Sequence, residues 1–238
     1  METLKGKKVL IAGASGGIGS ALARLMAGSG AEIFLTGRSA EKLEEIRLSL
    51  GLDSSRVLAA DLTEPADVER LKAAFTAVFS QPDIVINTAG VGIIKPMEQL
   101  SPEEFITSFM VNLFAPFLLM KAFLPLMKEQ KKGLVIHIPG VLGKTPMQGA
   151  AAYSASKYGL TGMMQSIREE IKRTEIRVTN LYLGGTDTAF WDTIDLRVQR
   201  DKMIRAEEAA RAIWFLCQQP AGAVVSEMAL QPFNHQAI

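Results

Sequence analysis

Short apolar runs rich in β-branched residues alternate, from one end of the chain to the other, with stretches of helical length and periodicity. The runs lie at Val9–Ala12, Ile33–Thr36, Val57–Ala60, Ile84–Asn87, Leu134–Ile138, Val178–Tyr182 and Val224–Leu230. The helical patterns fall near 18–28, 40–49, 65–79, 102–128, 153–173 and 206–218. Strands apolar on both faces must be covered on both, and strand–helix–strand order joins neighbours in parallel. The pattern predicts an α/β chain with a doubly wound parallel sheet and helices on both faces. One helix start is explicit: Ser101 can cap it, Pro102 suits its first turn and Glu104 completes a capping box. No repeat, low-complexity tract or Pro/Ser linker interrupts the 238 residues, so they read as one domain. The one long strand-to-helix insertion, 184–205, is of the kind that forms a lid over a ligand.

Composition narrows the function classes. Lys and Arg number 26 against 25 Asp and Glu, a net charge of +1, which argues against a nucleic-acid or anionic-membrane surface. The single Cys217 excludes an internal disulfide framework, and no Cys/His cluster has zinc spacing. The start, METLKGKKVLIAG, runs directly into a strand, so no signal peptide and a cytoplasmic location are expected. The segment Phe109–Met127 is apolar and long enough to span a bilayer, but Asn112, Lys121 and two prolines inside it are costly in hydrocarbon. A helix apolar on all sides is otherwise buried on all sides, in part by a second subunit. A homodimer or homotetramer is expected.

After the first strand comes Gly13-Ala14-Ser15-Gly16-Gly17-Ile18-Gly19, and then a helix. Glycines permit a tight turn and let backbone approach a pyrophosphate, to which the helix N-terminus offers free N–H groups and a positive dipole end. An acid at the end of the second strand would hold a ribose 2′-OH. Here that strand ends Gly37-Arg38-Ser39: glycine leaves space for a 2′-phosphate, and guanidinium can hold it through paired, charge-assisted hydrogen bonds. The competing reading of Arg38 is an ordinary solvated arginine; the expected cofactor is NADP(H).

These motifs, with those that follow, resemble the short-chain dehydrogenase/reductase family over essentially the whole chain. Gly13-x-x-x-Gly17-x-Gly19 is similar to its cofactor turn, Asp61-Leu62 to its adenine-contacting pair, and Asn87-Thr88-Ala89-Gly90 to its Asn-Asn-Ala-Gly element. Asn112, Tyr153 and Lys157 fall where the family keeps its active-site asparagine, tyrosine and lysine. Leu183-Gly184-Gly185-Thr186-Asp187-Thr188 resembles its segment around the nicotinamide carboxamide, with Gly184 and Thr188 kept. The resemblance implies a Rossmann fold with seven strands in the family order, and reduction of a carbonyl or oxidation of an alcohol. It also implies that Asn112 supports a water relaying protons to Lys157; the bland alternative is a helix-kink or interface amide.

The chemistry follows from the residue types. Tyr153 and Lys157 stand one helical turn apart, on one face. A neighbouring ammonium favours phenolate and is expected to lower the tyrosine toward the working pH range. The family's serine, thirteen residues before the tyrosine, falls on Gly140, preceded by Pro139, so its donor to the carbonyl oxygen is missing. Losing one such donor costs about 10²–10³ in kcat. Thr145 or a water near Gly140 could substitute. Two readings therefore stand: an NADP(H)-dependent oxidoreductase, and an NADP(H)-binding protein with little turnover. Met147, Phe190 and Trp191 are expected around an apolar substrate with Ile93 and Ile94; Gly140 faces it too. His137 reads as a core histidine, His235 as a surface or subunit-contact residue, and Met163 and Met164 as core or interface filling.

Overall fold

The computed structural model describes residues 1–235, and the alternation becomes a single seven-stranded parallel sheet. In chain order the elements are β1 (Lys8–Ala12), α1 (Gly17–Gly28), β2 (Glu32–Gly37), α2 (Ala40–Ser49), β3 (Val57–Ala59), α3 (Pro65–Phe79) and β4 (Ile84–Asn87). Then follow α4 (Pro102–Phe109), α5 (Ala115–Gln130), β5 (Lys132–His137), α6 (Ala151–Ile171), β6 (Glu175–Leu183), β7 (Thr186–Asp187), β8 (Ile204–Arg205), α7 (Ala206–Cys217) and β9 (Glu227–Leu230). The sheet order is β3-β2-β1-β4-β5-β6-β9, the doubly wound arrangement, which reverses direction beside β1.

Alternate residues of each strand feed two cores. Val9, Ile11, Ile33, Leu35, Ile86 and Ile136 meet α1, α2 and α7. Leu10, Phe34, Val85, Val135 and Val178 meet α3, α5 and α6. In the second core Phe75 stands 5.6 Å from Phe34 and 5.5 Å edge-on from Phe123, tying α3 and α5 to β2 through aromatic contacts. Ser101 caps α4 with the reciprocal Glu104 bond that its sequence predicts.

The structure differs from the sequence reading at two places. The pattern near 102–128 is not one regular helix: a π-helical turn, Met110–Phe114, separates α4 from α5 and carries Asn112. Within one chain the segment is covered by the sheet on one face: the window of mean hydropathy 1.7 within Pro102–Gln130 is 44% buried and leaves Phe105, Ile106 and Phe117 exposed, so burial on the other face rests on the second subunit that the sequence reading expects. The last strand begins at Glu227 rather than Val224: the Val225 carbonyl accepts from the Thr179 hydroxyl, and the ladder to β6 starts with the Asn180 N–H on the Ser226 carbonyl, which Arg168 also reaches.

Candidate active site

The reversal of strand order leaves a cleft of about 770 Å³ at the C-terminal ends of the strands, between the turn after β1 and the insertion after β6. Its described lining includes Lys157, Lys202 and His235 but no Asp or Glu. The walls thus suit an anionic ligand with an apolar companion.

One end is built for phosphate. Gly13, at φ +78°, turns the chain so tightly against Ala89 that a Cβ there would lie 2.6 Å from the Ala89 nitrogen. Gly16 stands at the α1 N-cap with no side-chain cap, and the first turn carries no acid, so the N–H groups of Gly17, Ile18 and Gly19 open into the cleft. Gly17 also admits Thr188, whose Cγ2 would be 2.8 Å from a Cβ on that glycine. The space expected beside Gly37 is taken: Ser15 Oγ lies 2.6 Å from where its Cβ would stand. That excludes an acidic side chain at 37 and sets the Ser15 hydroxyl beside exposed Arg38, which has no ion-pair partner among the described residues. These residues fit a dinucleotide with a further phosphate on its adenosine side.

Several expected contacts lie back from the cleft. Ser39 caps α2 by accepting from the Lys42 N–H. Asp61 is half-buried and its carboxylate takes the Thr63 N–H and hydroxyl, while the Leu62 side chain is buried in the core and presents only backbone. Asn87 is buried and accepts from the Ala89 N–H at 3.0 Å, so it shapes the Ala89–Gly90 wall from behind.

At the centre α6 brings Tyr153 and Lys157 to the lining, with the Lys157 ammonium 5.6 Å from the Tyr153 ring centroid. Lys157 is buried, and its Nζ donates to the Ile138 carbonyl at 2.9 Å. Desolvation brings the lysine down to about 8. The same burial pushes the Tyr153 phenol up rather than down, contrary to the expectation from Lys157 alone, because at this separation the ammonium does not offset desolvation. Asn112 is also buried and does not line the cleft. Its Oδ1 accepts from the Val91 N–H and its Nδ2 donates to the Val91 carbonyl, both at 2.9 Å, and also to Ser156 Oγ at 3.1 Å. The amide thus ties the loop after β4 to α6, one turn from Tyr153. Across Gly90, Asn112 Oδ1 and Lys157 Nζ lie 3.3 and 3.4 Å from the point where a Cβ would sit.

Gly140 lines the cleft at φ +69°, ψ 170°, a region essentially restricted to glycine. A Cβ there would stand 3.9 Å from the Tyr153 hydroxyl oxygen and 3.3 Å from the Leu183 carbonyl. The position therefore faces the reacting site, as expected, but on a backbone that disfavours serine. Thr145 lines the cleft just beyond the short 3₁₀ turn Val141–Gly143 that follows.

The insertion at 184–205 is folded down over the other end. β7 pairs with β8, and Arg200 reaches Asp187 at 3.2 Å, Asp192 at 2.8 Å and the Thr188 carbonyl. Thr186 is buried and donates to the Gly184 carbonyl at 3.1 Å. Trp191 Nε1 donates to the Thr186 carbonyl at 2.9 Å, fixing the indole. Phe190 lies edge-on to Trp191, centroids 5.4 Å apart, and 6.0 Å from the Tyr153 ring. Ile94, Leu142, Met147, Leu196 and Met203 complete apolar walls, and exposed Lys202, Asn234 and His235 stand at the mouth.

Behind the site runs a row the sequence did not reveal as such. Asn87, His137 and Asn180 are register partners on β4, β5 and β6, all buried. Asn87 Nδ2 approaches His137 Nδ1 at 3.5 Å, whereas His137 Nε2 and both Asn180 amide atoms are unpartnered. Burial, then the nearby Lys157 charge, pushes His137 down to about 3, so it is a neutral core residue, though only half satisfied.

Comparison with known proteins agrees with this geometry. The short chain dehydrogenase family model matches residues 7–198. The chain belongs to the short-chain dehydrogenase family. An uncharacterized oxidoreductase of Staphylococcus epidermidis is 30% identical over 232 residues, 98% of this chain and 100% of that relative. An alcohol dehydrogenase from the archaeon Thermococcus sibiricus, solved with 5-hydroxy-NADP, is similar with a TM-score of 0.89 and 27% identity, covering 98% of this chain and 99% of that one. A metagenomic short-chain oxidoreductase with bound NADP has a TM-score of 0.82 and 31% identity over 97% and 99% of the two chains. For this short-chain dehydrogenase, NAD(P)-dependent oxidoreduction is the activity these likenesses support. Sequence reasoning missed Gly92, the Ile138 carbonyl and Ser156, which carry no motif of their own and matter through what they touch.

Proposed function

We propose that this short-chain dehydrogenase interconverts a carbonyl and a secondary alcohol using NADP(H), on an apolar small molecule, in the cytoplasm. One observation carries the reading: an uncapped α1 N-terminus and the Tyr153–Lys157 pair meet in one cleft with no Asp or Glu in its described lining. Gly16–Gly19 would hold the pyrophosphate, Ser15, Arg38 and Ser39 a 2′-phosphate, and Asp61 and the Leu62 backbone the adenine. Gly184, Thr186 and Thr188 would hold the carboxamide, with Asn87, Ala89 and Gly90 forming the wall behind. NADP supplied in the solved relatives supports the choice of cofactor.

When bound, the nicotinamide supplies hydride to the carbonyl carbon, or takes it from the alcohol. Burial keeps Tyr153 protonated, so its hydroxyl is ready to donate to the carbonyl oxygen in reduction. Lys157 stabilises the phenolate left behind, and solvent returns the proton. Asn112 holds the Val91 loop and α6 together, keeping Tyr153 in place. The apolar groove of Phe109, Leu113, Phe117 and Met163 on the α4–α6 face is taken to pair with a second copy, in a homodimer or homotetramer.

A second reading, an NADP(H)-binding protein with little turnover, is favoured by the missing hydroxyl at Gly140. NADPH oxidation across ketones, aldehydes and quinones, with Tyr153→Phe alongside, decides between them. Turnover in the wild type that falls by at least about 10²-fold in Tyr153→Phe, with NADPH affinity retained, is expected. Intact NADPH binding without turnover gives the second reading, and equal turnover in Tyr153→Phe overturns the role of Tyr153.

A further inference from the structure

The apolar end of the cleft carries a more specific message, which rests on the cofactor-dependent reading above and deepens it. Phe190 is not simply one of several apolar side chains. Its ring is seated in a notch that exists because residue 92 has no side chain: a Cβ on buried Gly92 would fall inside the envelope of Phe190 Cζ, and 2.8 Å from Ile194 Cδ1. Gly92 has no positive φ, so the glycine serves space rather than backbone conformation. The neighbouring ring is fixed as well, since the Trp191 indole N–H is held by the Thr186 carbonyl. Phe190 meets Trp191 at 80° and Tyr153 at 52°, so the rings run in a chain from Trp191 through Phe190 to Tyr153, and all three line the cleft.

We propose that Phe190, seated against Gly92, selects substrates that carry an aromatic ring within one methylene of the carbonyl. A carbonyl oxygen at Tyr153 leaves its substituents facing Phe190, Trp191, Met147 and Leu142, with no carboxylate in the described lining to solvate a polar group. Any apolar group gains from burial there. A flat ring gains more, because quadrupoles of neighbouring rings favour edge-to-face and offset contacts. Per ring pair this preference is worth about 2- to 10-fold in affinity beyond area alone.

The test is calorimetric binding of 1-phenylpropan-2-one and 1-cyclohexylpropan-2-one to the protein saturated with NADP⁺. A methylene separates ring from carbonyl in both, so intrinsic reactivity and the groups flanking the carbonyl are matched. The wild type is expected to bind the phenyl ketone about 5- to 10-fold more tightly. Phe190→Leu, which keeps an apolar wall but removes the ring, should bring the ratio within about twofold with NADP⁺ affinity retained. Gly92→Ala keeps the ring but expels it from its notch, and should lower the ratio too. Equal affinities in the wild type, no binding of either ketone, or an undiminished ratio in either variant overturns the proposal. NADPH oxidation with the same ketones separates it from the reaction. Discrimination without oxidation retains the aromatic site and removes the reductase reading; oxidation of both ketones bound equally does the reverse.

Discussion

Replacing Gly140 by serine or by alanine tests whether the missing donor was given up for backbone reasons. Both substitutions place a Cβ at φ +69°, ψ 170°, where an L-residue costs about 1–3 kcal/mol. The loop has little freedom to escape that cost. The Gly143 N–H donates to the Gly140 carbonyl at 3.0 Å, and Pro139 packs so closely on Gly143 that a Cβ there would lie 2.9 Å from the proline Cβ. Contact adds to the strain, since a Cβ on Gly140 would stand 3.3 Å from the Leu183 carbonyl oxygen, which must give by a few tenths of an ångström, whereas the Tyr153 hydroxyl at 3.9 Å is at ordinary distance. A destabilisation of about 2 kcal/mol corresponds to a fall in Tm of roughly 4–8 °C for a chain of this length. Serine differs from alanine only in a hydroxyl, carried on a Cβ that would stand 3.9 Å from the Tyr153 hydroxyl, and one donor to a developing oxyanion is worth about 10²–10³ in kcat. The expected result is that both variants melt lower by similar amounts and that only Gly140→Ser gains turnover. Thermal melts at fixed protein concentration and NADPH oxidation with one ketone measure both. An alanine variant as stable as the wild type refutes the strain argument, and equal kcat in the two variants refutes the claim that position 140 faces the reacting oxygen.

Three further outcomes follow from the buried polar groups. Lys157 sits near 8 when folded and at its ordinary 10.5 when unfolded, so from pH 8 to 10.5 the unfolded chain binds the extra proton and stability should rise with pH, by about 3 kcal/mol in all. Lys157→Met should flatten that rise in urea midpoints measured across the range. His137, held near 3 against 6.5 unfolded, contributes stability that is present above 6.5 and lost as pH falls toward 3, up to about 4–5 kcal/mol. Acid unfolding of His137→Asn should lack that component and move to lower pH relative to its own neutral stability. Asn112→Ala strands the Val91 N–H and carbonyl and removes a partner of Ser156, costing about 3 kcal/mol or more in denaturant unfolding.

The fold was legible because its signal is periodic and repeated. Every strand predicted from an apolar run is present, and the helices at 40–49 and 65–79 have the bounds their patterns indicate. What the periodicity could not carry was a change of helical hydrogen bonding. Residues 110–114 remain helical in spacing and apolar in character, so nothing in their order announces a π turn. Nor could an all-apolar segment reveal which side stays uncovered, because Phe105 and Phe123 are the same residue type yet one is exposed and the other buried.

The site was legible where a function rests on a residue type at a fixed spacing, as for Tyr153 and Lys157, and illegible where it rests on a shape. Gly37 shows the boundary. Its lack of a side chain reads correctly from sequence as the loss of an acid, yet the vacated space holds the Ser15 hydroxyl from a turn 22 residues earlier in the chain. Gly92 and Gly140 extend the point in opposite directions. One is glycine because a ring occupies the position of its side chain, the other because the backbone lies where side chains are disfavoured, and in a sequence the two are the same letter. Both stand against groups proposed to surround the carbonyl, Phe190 in one case and the Tyr153 hydroxyl in the other. On the proposed reading Gly92 therefore bears on which carbonyl is held and Gly140 on how its oxygen is met, while the lysine, the tyrosine and the glycine turn line one cleft as their spacing predicts.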